Sequence, residues 1–261
     1  MKKNELRAKI IFRTDLVTEE KFRLLWAYIA DFPIEIQKYD YTEPIKKTYL
    51  PDYKQADENY IKFLGTIFFR GKSKNNWIKL GHMMDGFSII SIYTLELKAS
   101  KSLIEWIRNL LTIIPLEYVN ITDSFEYDFK HKDVDQNSYG WHGGSNVEFL
   151  KYIPGIYWFN AFGENYINAV GKDNFKDLPN CEYVDFGNKM IAFHLKDSVI
   201  AENYEERIKN EQDVADKIGS SFFYDKYRKI DFSHPQKFIE YISEVNEEIE
   251  KMIVRLRQKY S

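Results

Sequence analysis

The chain has 261 residues, a formal net charge of −3, 44% apolar residues and 30% charged residues. This composition excludes wholesale disorder, a collagen-like chain and a bundle of membrane-spanning helices. The near balance of charge does not favour a protein that follows a nucleic-acid backbone, so we expect no nucleic-acid partner. Aromatic residues are abundant, at 16% of the chain.

Cys181 is the single cysteine, so the chain cannot form an internal disulfide. The amino-terminal sequence MKKNELRAKI starts with basic residues but has no apolar stretch of signal-peptide length after it. The longest apolar runs, near 87–95 and 110–116, are far shorter than a membrane span. We therefore expect a cytoplasmic protein that does not bind membranes.

The first 130 residues read as strands interspersed with helices. Thr18 is a predicted helix N-cap, and Pro33 is expected to stop the helix that follows it. The segment 31–59 is polar and rich in turn residues, and we interpret it mostly as loop. The apolar patterns predict strands at 9–13, 64–70, 77–82, 87–97 and 116–122, and a second helix at 99–114.

Residues 131–149 are polar, glycine-rich and without a secondary-structure period. We interpret them as a loop that joins two α+β halves, about 1–130 and 150–261, in one compact chain. In the second half we predict a strand at 155–159 and a short helix between Gly163 and Gly171. A strand pair at 181–185 and 189–195 and a helix from Asn203 to Gly219 complete it.

The last predicted element is a long amphipathic helix. Apolar residues repeat there at steps of four and three, at Phe238, Ile242, Val245, Ile249, Met252 and Leu256. Such a helix either lies on the body of the protein or forms a homodimer through a coiled coil. The whole pattern predicts an α+β fold with largely antiparallel sheets, flanking helices and this C-terminal helix.

The sequence contains no motif of a common cofactor site. Glycine-rich phosphate-binding loops are missing, and the five His residues and one Cys lack the spacing of a zinc site, so we expect neither cofactor nor metal. His194 could face Cys181 across a hairpin, but we interpret both as structural. Glu126 and Asp128 would share one face of a strand, which we interpret as a solvated face.

A metal-dependent nuclease is the alternative interpretation of the sequence. Asp85 precedes an apolar strand, and Glu96 and Lys98 end it, which is the D…(D/E)xK spacing of such nucleases. In these enzymes two carboxylates hold Mg²⁺ and the lysine polarises the attacking water. In a chain with 30% charged residues this spacing also arises by chance.

The run PGIYWFNAFG at 154–163, followed by ENYINAVG at 164–171, resembles a signature of bacterial immunity proteins. The resemblance is to the immunity-protein-52-type family of polymorphic and type VI toxin systems, and it covers residues 150–225. Glu164 stands where that family usually has Pro. The signature is structural in character, since Trp158 and Phe162 are expected to pack in a core.

The resemblance implies a non-catalytic protein that binds a cognate toxin or other enzyme and neutralises it by occlusion. For the partner-binding residues we select Tyr139, Trp141 and His142, because large aromatics on a glycine-rich loop are available to another surface. The other interpretation of this loop is a linker that Trp141 anchors to the core.

Overall fold

A computed structural model describes residues 5–60, 65–82, 87–95, 100–131 and 153–223, together with 251 and 254. The described residues are of the α+β class and form two units. The first unit contains the residues up to Glu117 with 251 and 254, and the second runs from Tyr118 to Phe223. The division falls at the strand that begins at Leu116, whereas nearly all of the predicted loop 131–149 lies outside the described residues.

Six strands of the first unit form an antiparallel sheet. They are β1 (Leu6–Arg13), β2 (Ile36–Asp40), β3 (Lys47–Thr48), β4 (Thr66–Gly71), β5 (Trp77–His82) and β6 (Phe87–Thr94). Their order is β3-β2-β4-β5-β6-β1. β4 pairs with β5 and β5 with β6, both antiparallel, in agreement with the largely antiparallel sheets that the sequence predicts.

Three helices belong to the first unit: α1 (Glu19–Tyr28), α2 (Tyr53–Tyr60) and α3 (Ser100–Leu110). The Thr18 hydroxyl accepts a hydrogen bond from the Lys21 amide and so caps α1, as predicted. Trp26 of α1 is fully buried and packs edge-on against the rings of Tyr39 and Phe69. This aromatic cluster joins the helix to one face of the sheet.

The interpretation of 31–59 as mostly loop is wrong, because the segment contains β2, β3 and α2. β2 is short and half-polar, so its sequence does not indicate a strand. Its pairing with β4 supplies the backbone hydrogen bonds that stabilise it. In α2 the buried residues Ala56, Asn59 and Tyr60 follow a helical spacing within a polar sequence. Tertiary contacts therefore decide the structure of this segment.

Four strands form the antiparallel sheet of the second unit. They are β7 (Leu116–Asp123), β8 (Phe159–Phe162), β9 (Cys181–Val184) and β10 (Ile191–Leu195), in the order β7-β8-β10-β9. The strand predicted at 155–159 is wrong, since β8 begins only at Phe159. Asn160 accepts from the Tyr157 amide and donates to its carbonyl, so a side chain holds the chain that precedes β8.

The described residues of the second unit also form three helices: α4 (Ser124–His131), α5 (Glu164–Val170) and α6 (Tyr204–Ile218). Gly163 and Gly171 bracket α5 as predicted, and Gly171 adopts the positive φ of 94° that ends the helix. The Asn203 side chain accepts from the amides of Glu205 and Glu206, which confirms the predicted start of α6.

Of the helices that the structure describes, none has the length and apolar character needed to cross a bilayer. The predicted C-terminal helix and the homodimer through it concern residues outside the described ranges, except that residues 251 and 254 are helical.

We predict that Trp158 stabilises the second unit as a core residue. Its side chain is only 7% exposed, stacks on His194 and donates a hydrogen bond from Nε1 to the Asp197 carbonyl. Trp158→Ala should lower the free energy of unfolding by about 3–5 kcal/mol, because it removes a large buried ring. Trp158→Phe keeps most of the ring and should cost less; equal stability of Trp158→Ala and the wild type in urea denaturation would contradict this.

Candidate binding surface

The residues predicted to bind a partner, Tyr139, Trp141 and His142, lie outside the described part of the chain. The same holds for Asp85, Glu96 and Lys98 of the nuclease alternative. Within the described residues, no three His, Cys, Asp or Glu side chains lie together as metal ligands would.

Cys181 and His194 do not face each other. In the β9–β10 pair Cys181 lies opposite Leu195, and His194 lies opposite Glu182, so the two side chains point to opposite faces of the sheet. Burial raises the pKa of the Cys181 thiol to about 12, with Lys196 opposing the shift. The His194 ring stacks on Trp158, and its Nδ1 lies 2.8 Å from the Leu195 carbonyl oxygen. Neither residue is arranged as a nucleophile or its base.

Glu126 and Asp128 do not share the face of a strand, because both belong to helix α4. Glu126 is buried, so the interpretation of a solvated face is wrong for it. It lies in a cluster of polar groups centred on Arg207 of α6.

Arg207 is fully buried and bonded on three sides. Its Nη1 donates to Glu126 at 2.7 Å, its Nε to Asp197 at 2.6 Å and its Nη2 to the Ser198 carbonyl at 2.5 Å. A buried guanidinium is tolerated only when carboxylates and carbonyls satisfy its donors. The cluster thus joins α6, α4 and the loop after β10.

Asp123 extends the Arg207 cluster at the start of α4. Its Oδ1 accepts from the amides of Phe125 and Glu126 and so caps the helix, while its Oδ2 accepts from the Tyr204 hydroxyl at 2.7 Å. The Tyr204 ring also lies 4.4 Å from the ring of Phe125. One carboxylate therefore fixes both the entry to α4 and the first turn of α6.

Two groups of this cluster have pKa values shifted away from neutral pH. Burial alone would lower the pKa of Arg207, but Glu126 and Asp197 outweigh it, so the pKa is raised. Burial, together with the hydrogen bond to Asp123, raises the pKa of Tyr204. Arg207 therefore keeps its charge at pH 7 and Tyr204 stays neutral, as expected for structural hydrogen-bond donors.

A recess lies beside the β9–β10 hairpin at the edge of the second unit's sheet. Its volume is about 380 Å³, and its lining includes Lys172, Phe175, Tyr183, Phe186, Met190 and Ile191. The hairpin turns at Gly187, whose φ of 74° suits glycine, and the Gly187 amide donates to Asp185. The recess combines an apolar floor with polar groups at its margin, as binding sites do.

Tyr183 connects the two walls of the recess. Its hydroxyl donates to the Phe175 carbonyl at 2.5 Å and accepts from the Leu178 amide at 3.1 Å. The residue is nevertheless 51% exposed, so it presents its ring to the surface while its hydroxyl holds the segment that follows α5. A tyrosine fixed in this way loses little conformational entropy when a partner covers it.

Sequence reasoning missed both Arg207 and Tyr183. The buried positions of α6 are Arg207, Glu211, Val214 and Ile218, which repeat at steps of four, three and four. The signal was therefore present: two charged residues occupy the apolar stripe of a helix. No comparable signal marks Tyr183, because its exposure depends on β9 being the edge strand.

No protein-family model matches this chain, and no curated protein matches it. The resemblance to immunity proteins therefore stays a prediction from the sequence of residues 150–225. In the structure its aromatic members are core residues: Trp158 is largely buried, and Phe162 fully so.

We predict that Glu126 and Arg207 depend strongly on each other for stability. Glu126→Leu or Arg207→Met alone should cost about 3–5 kcal/mol, because each leaves the other charge buried with fewer partners. The double variant should lose less than the sum of the two. The exposed pair Glu105 and Arg108 of α3 is the control. A double-mutant cycle on that pair should give an interaction energy below about 1 kcal/mol. If urea denaturation shows that the stability losses of the two single variants add up to that of the double variant, Glu126 and Arg207 do not depend on each other.

We predict that Cys181 is unreactive in the folded chain. Because the thiolate is the nucleophile and the thiol pKa is raised to about 12, alkylation by iodoacetamide at pH 8 should be at least about 100-fold slower than for glutathione. In urea, where burial is lost, the rate should approach that of glutathione. Rapid labelling of the folded chain, followed by mass spectrometry, would instead support an activated thiol.

Proposed function

We propose that this chain is a non-catalytic binding protein that neutralises a cognate enzyme or toxin by occlusion, acting in the cytoplasm. The observation that carries the proposal is the recess beside β9, with the half-exposed ring of Tyr183 in its wall. Interfaces obtain most of their affinity from a few such aromatic anchors in or beside pockets.

The shape of the recess suits a protein partner. A volume of about 380 Å³ is enough for one or two large side chains of a partner. The recess opens beside β9, which ends the strand order of its sheet, so an approaching chain meets both a pocket and a strand edge. Lys172 and Asp177 at the margin supply the polar rim that surrounds most interface cores.

The chemistry of the second unit also favours binding over catalysis. Its buried charges satisfy each other in the Arg207 cluster, and its thiol is held in the protonated form. These groups rigidify the unit that bears the recess. A rigid surface is what occlusion needs, because affinity rises when little has to be ordered on binding.

The test is co-expression with the product of the neighbouring gene in a bacterial host. We expect the chain to restore growth and to co-purify with that product as a complex of fixed stoichiometry. Absence of both protection and a complex would refute the proposal. So would Mg²⁺-dependent cleavage of DNA by the purified chain that Asp85→Asn abolishes, since this would support the nuclease alternative instead.

Within that complex, Tyr183→Ala should weaken binding by about 2 kcal/mol or more, which is roughly 30-fold in Kd. Tyr183→Phe keeps the ring and removes only the hydroxyl that bonds to Phe175 and Leu178. Comparing it with Tyr183→Ala therefore separates the ring's contact with the partner from the hydroxyl's support of the segment after α5. Tyr53→Ala, which removes a tyrosine of the first unit that is 60% exposed, is the matched control. Calorimetry showing the same Kd for all three variants would place the contact elsewhere.

A further inference from the structure

The two faces of the first unit's sheet differ in chemistry. One face carries apolar residues such as Ile67, Phe69 and Ile78, and it packs against Trp26 of α1. The register of the strands places six cations on the opposite face: Arg7, Lys9, Arg13, Lys38, Arg70 and Lys79. Phe68, Trp77 and Tyr93 lie among them. We call this surface the basic face.

The charge on the basic face is segregated rather than balanced. Asp40 is the only acidic residue within the six described strands of this unit. Its carboxylate accepts hydrogen bonds from the amides of Tyr41 and Lys46 and is thus used locally. Glu5 and Asp15, just outside these strands, lie beside Arg7 and Arg13, so the excess of positive charge is found at Lys38, Arg70 and Lys79.

The cations at the β2, β4 and β5 side of this face are not neutralised by the described part of the chain. Arg13 is held by Asp15 in a two-bond ion pair, and Arg7 lies 3.6 Å from Glu5. Lys38 and Lys79, by contrast, have no carboxylate of the described residues within 4 Å. Arg70 donates to the Ile45 carbonyl, which carries no net charge.

The aromatic residues of the basic face are arranged unlike a platform for nucleic-acid bases. Trp77 and Tyr93 stack on each other with ring centroids 3.8 Å apart and planes 12° apart. The guanidinium of Arg7 lies 5.5 Å from the centroid of the Tyr93 ring. The two ring faces that meet each other are closed to a base, and base stacking supplies much of the affinity for single strands. Carboxylates need no such stacking, because they bond directly to the cations of the face.

We propose that the basic face binds an acidic segment of a partner protein. The inference rests on the proposed function in one respect, that the partner is a protein. Carboxylates are the chemistry that complements Lys38, Arg70 and Lys79. Charge complementarity of this kind raises the association rate and makes binding sensitive to salt.

The test uses a fluorescein-labelled polyglutamate peptide of about 20 residues and an oligothymidylate of similar length, with binding followed by anisotropy. The wild type should bind the peptide, and raising the salt from about 50 to 200 mM should weaken the binding. Lys38→Gln/Lys79→Gln should weaken it by about tenfold. Lys209→Gln/Lys217→Gln changes the net charge equally on exposed lysines of the second unit that lie outside the recess, and it should have an effect below about twofold.

Two results would overturn the inference. If the wild type does not bind polyglutamate, or if both double variants behave alike, the basic face is not an acid-binding surface. If oligothymidylate binds more tightly and the Lys38/Lys79 variant loses it, the face is a nucleic-acid surface instead. Thermal melts verify folding; should the double variant unfold, the single variant Lys38→Gln, at an exposed site, replaces it.

The outcome is separable from that of the proposed function. Suppose that the wild type and Lys38→Gln/Lys79→Gln both form the inhibitory complex and that salt weakens the binding of both equally. This result would refute the inference about the basic face and leave the proposed function standing. Binding of polyglutamate without any inhibitory complex would remove the proposed function alone.

Discussion

The buried guanidinium of Arg207 constrains the second unit more than any other group described. It donates to Glu126 of α4, 81 residues away, and to Asp197 and Ser198 of the loop after β10, so three segments meet at one side chain. The cost of removing that charge from water requires all of these acceptors to be in place. Formation of the cluster therefore specifies where α4 and α6 lie around their sheet, and the recess beside β9 belongs to the same rigid unit.

The high aromatic content of the chain is explained mostly by its cores. In the first unit Phe22, Trp26, Tyr39, Tyr49 and Phe69 form one connected cluster of rings. In the second, Phe162 contacts the rings of Tyr118, Phe175 and Phe193. Among the described residues, Tyr183 and Phe125 are surface rings that neighbouring groups hold in place, which is how aromatic anchors at interfaces are usually presented.

Sequence reasoning succeeded where a local signal decides the structure. The hydroxyl of Thr18, the side chain of Asn203 and the glycines around α5 act within a few residues of their own positions, and each of those predictions is confirmed. It failed for 31–59, where β2 exists because β4 lies beside it, and for Glu126, whose helical, buried state depends on Arg207. Pairing across long sequence separations leaves no local mark, so neither failure could be avoided from periodicity alone.

The candidate site was less predictable than the fold for the same reason. An aromatic anchor on an edge strand is recognised only when the strand order is known, and a basic face only when the register is known. The lysines and arginines of β1, β2, β4 and β5 alternate with apolar residues, which is the ordinary pattern of a half-buried sheet. Their segregation on one face emerges from five strand pairings together.

The most direct test of the central claim, that the chain neutralises its partner by covering it, is a titration of the partner's enzymatic activity with the purified chain. Occlusion predicts that activity falls linearly and ends at one fixed molar ratio, with full recovery when the complex is dissociated and separated. Loss of activity at a small fraction of that ratio, increasing with time and persisting after separation, would show that the chain acts as a catalyst on its partner and would contradict the account.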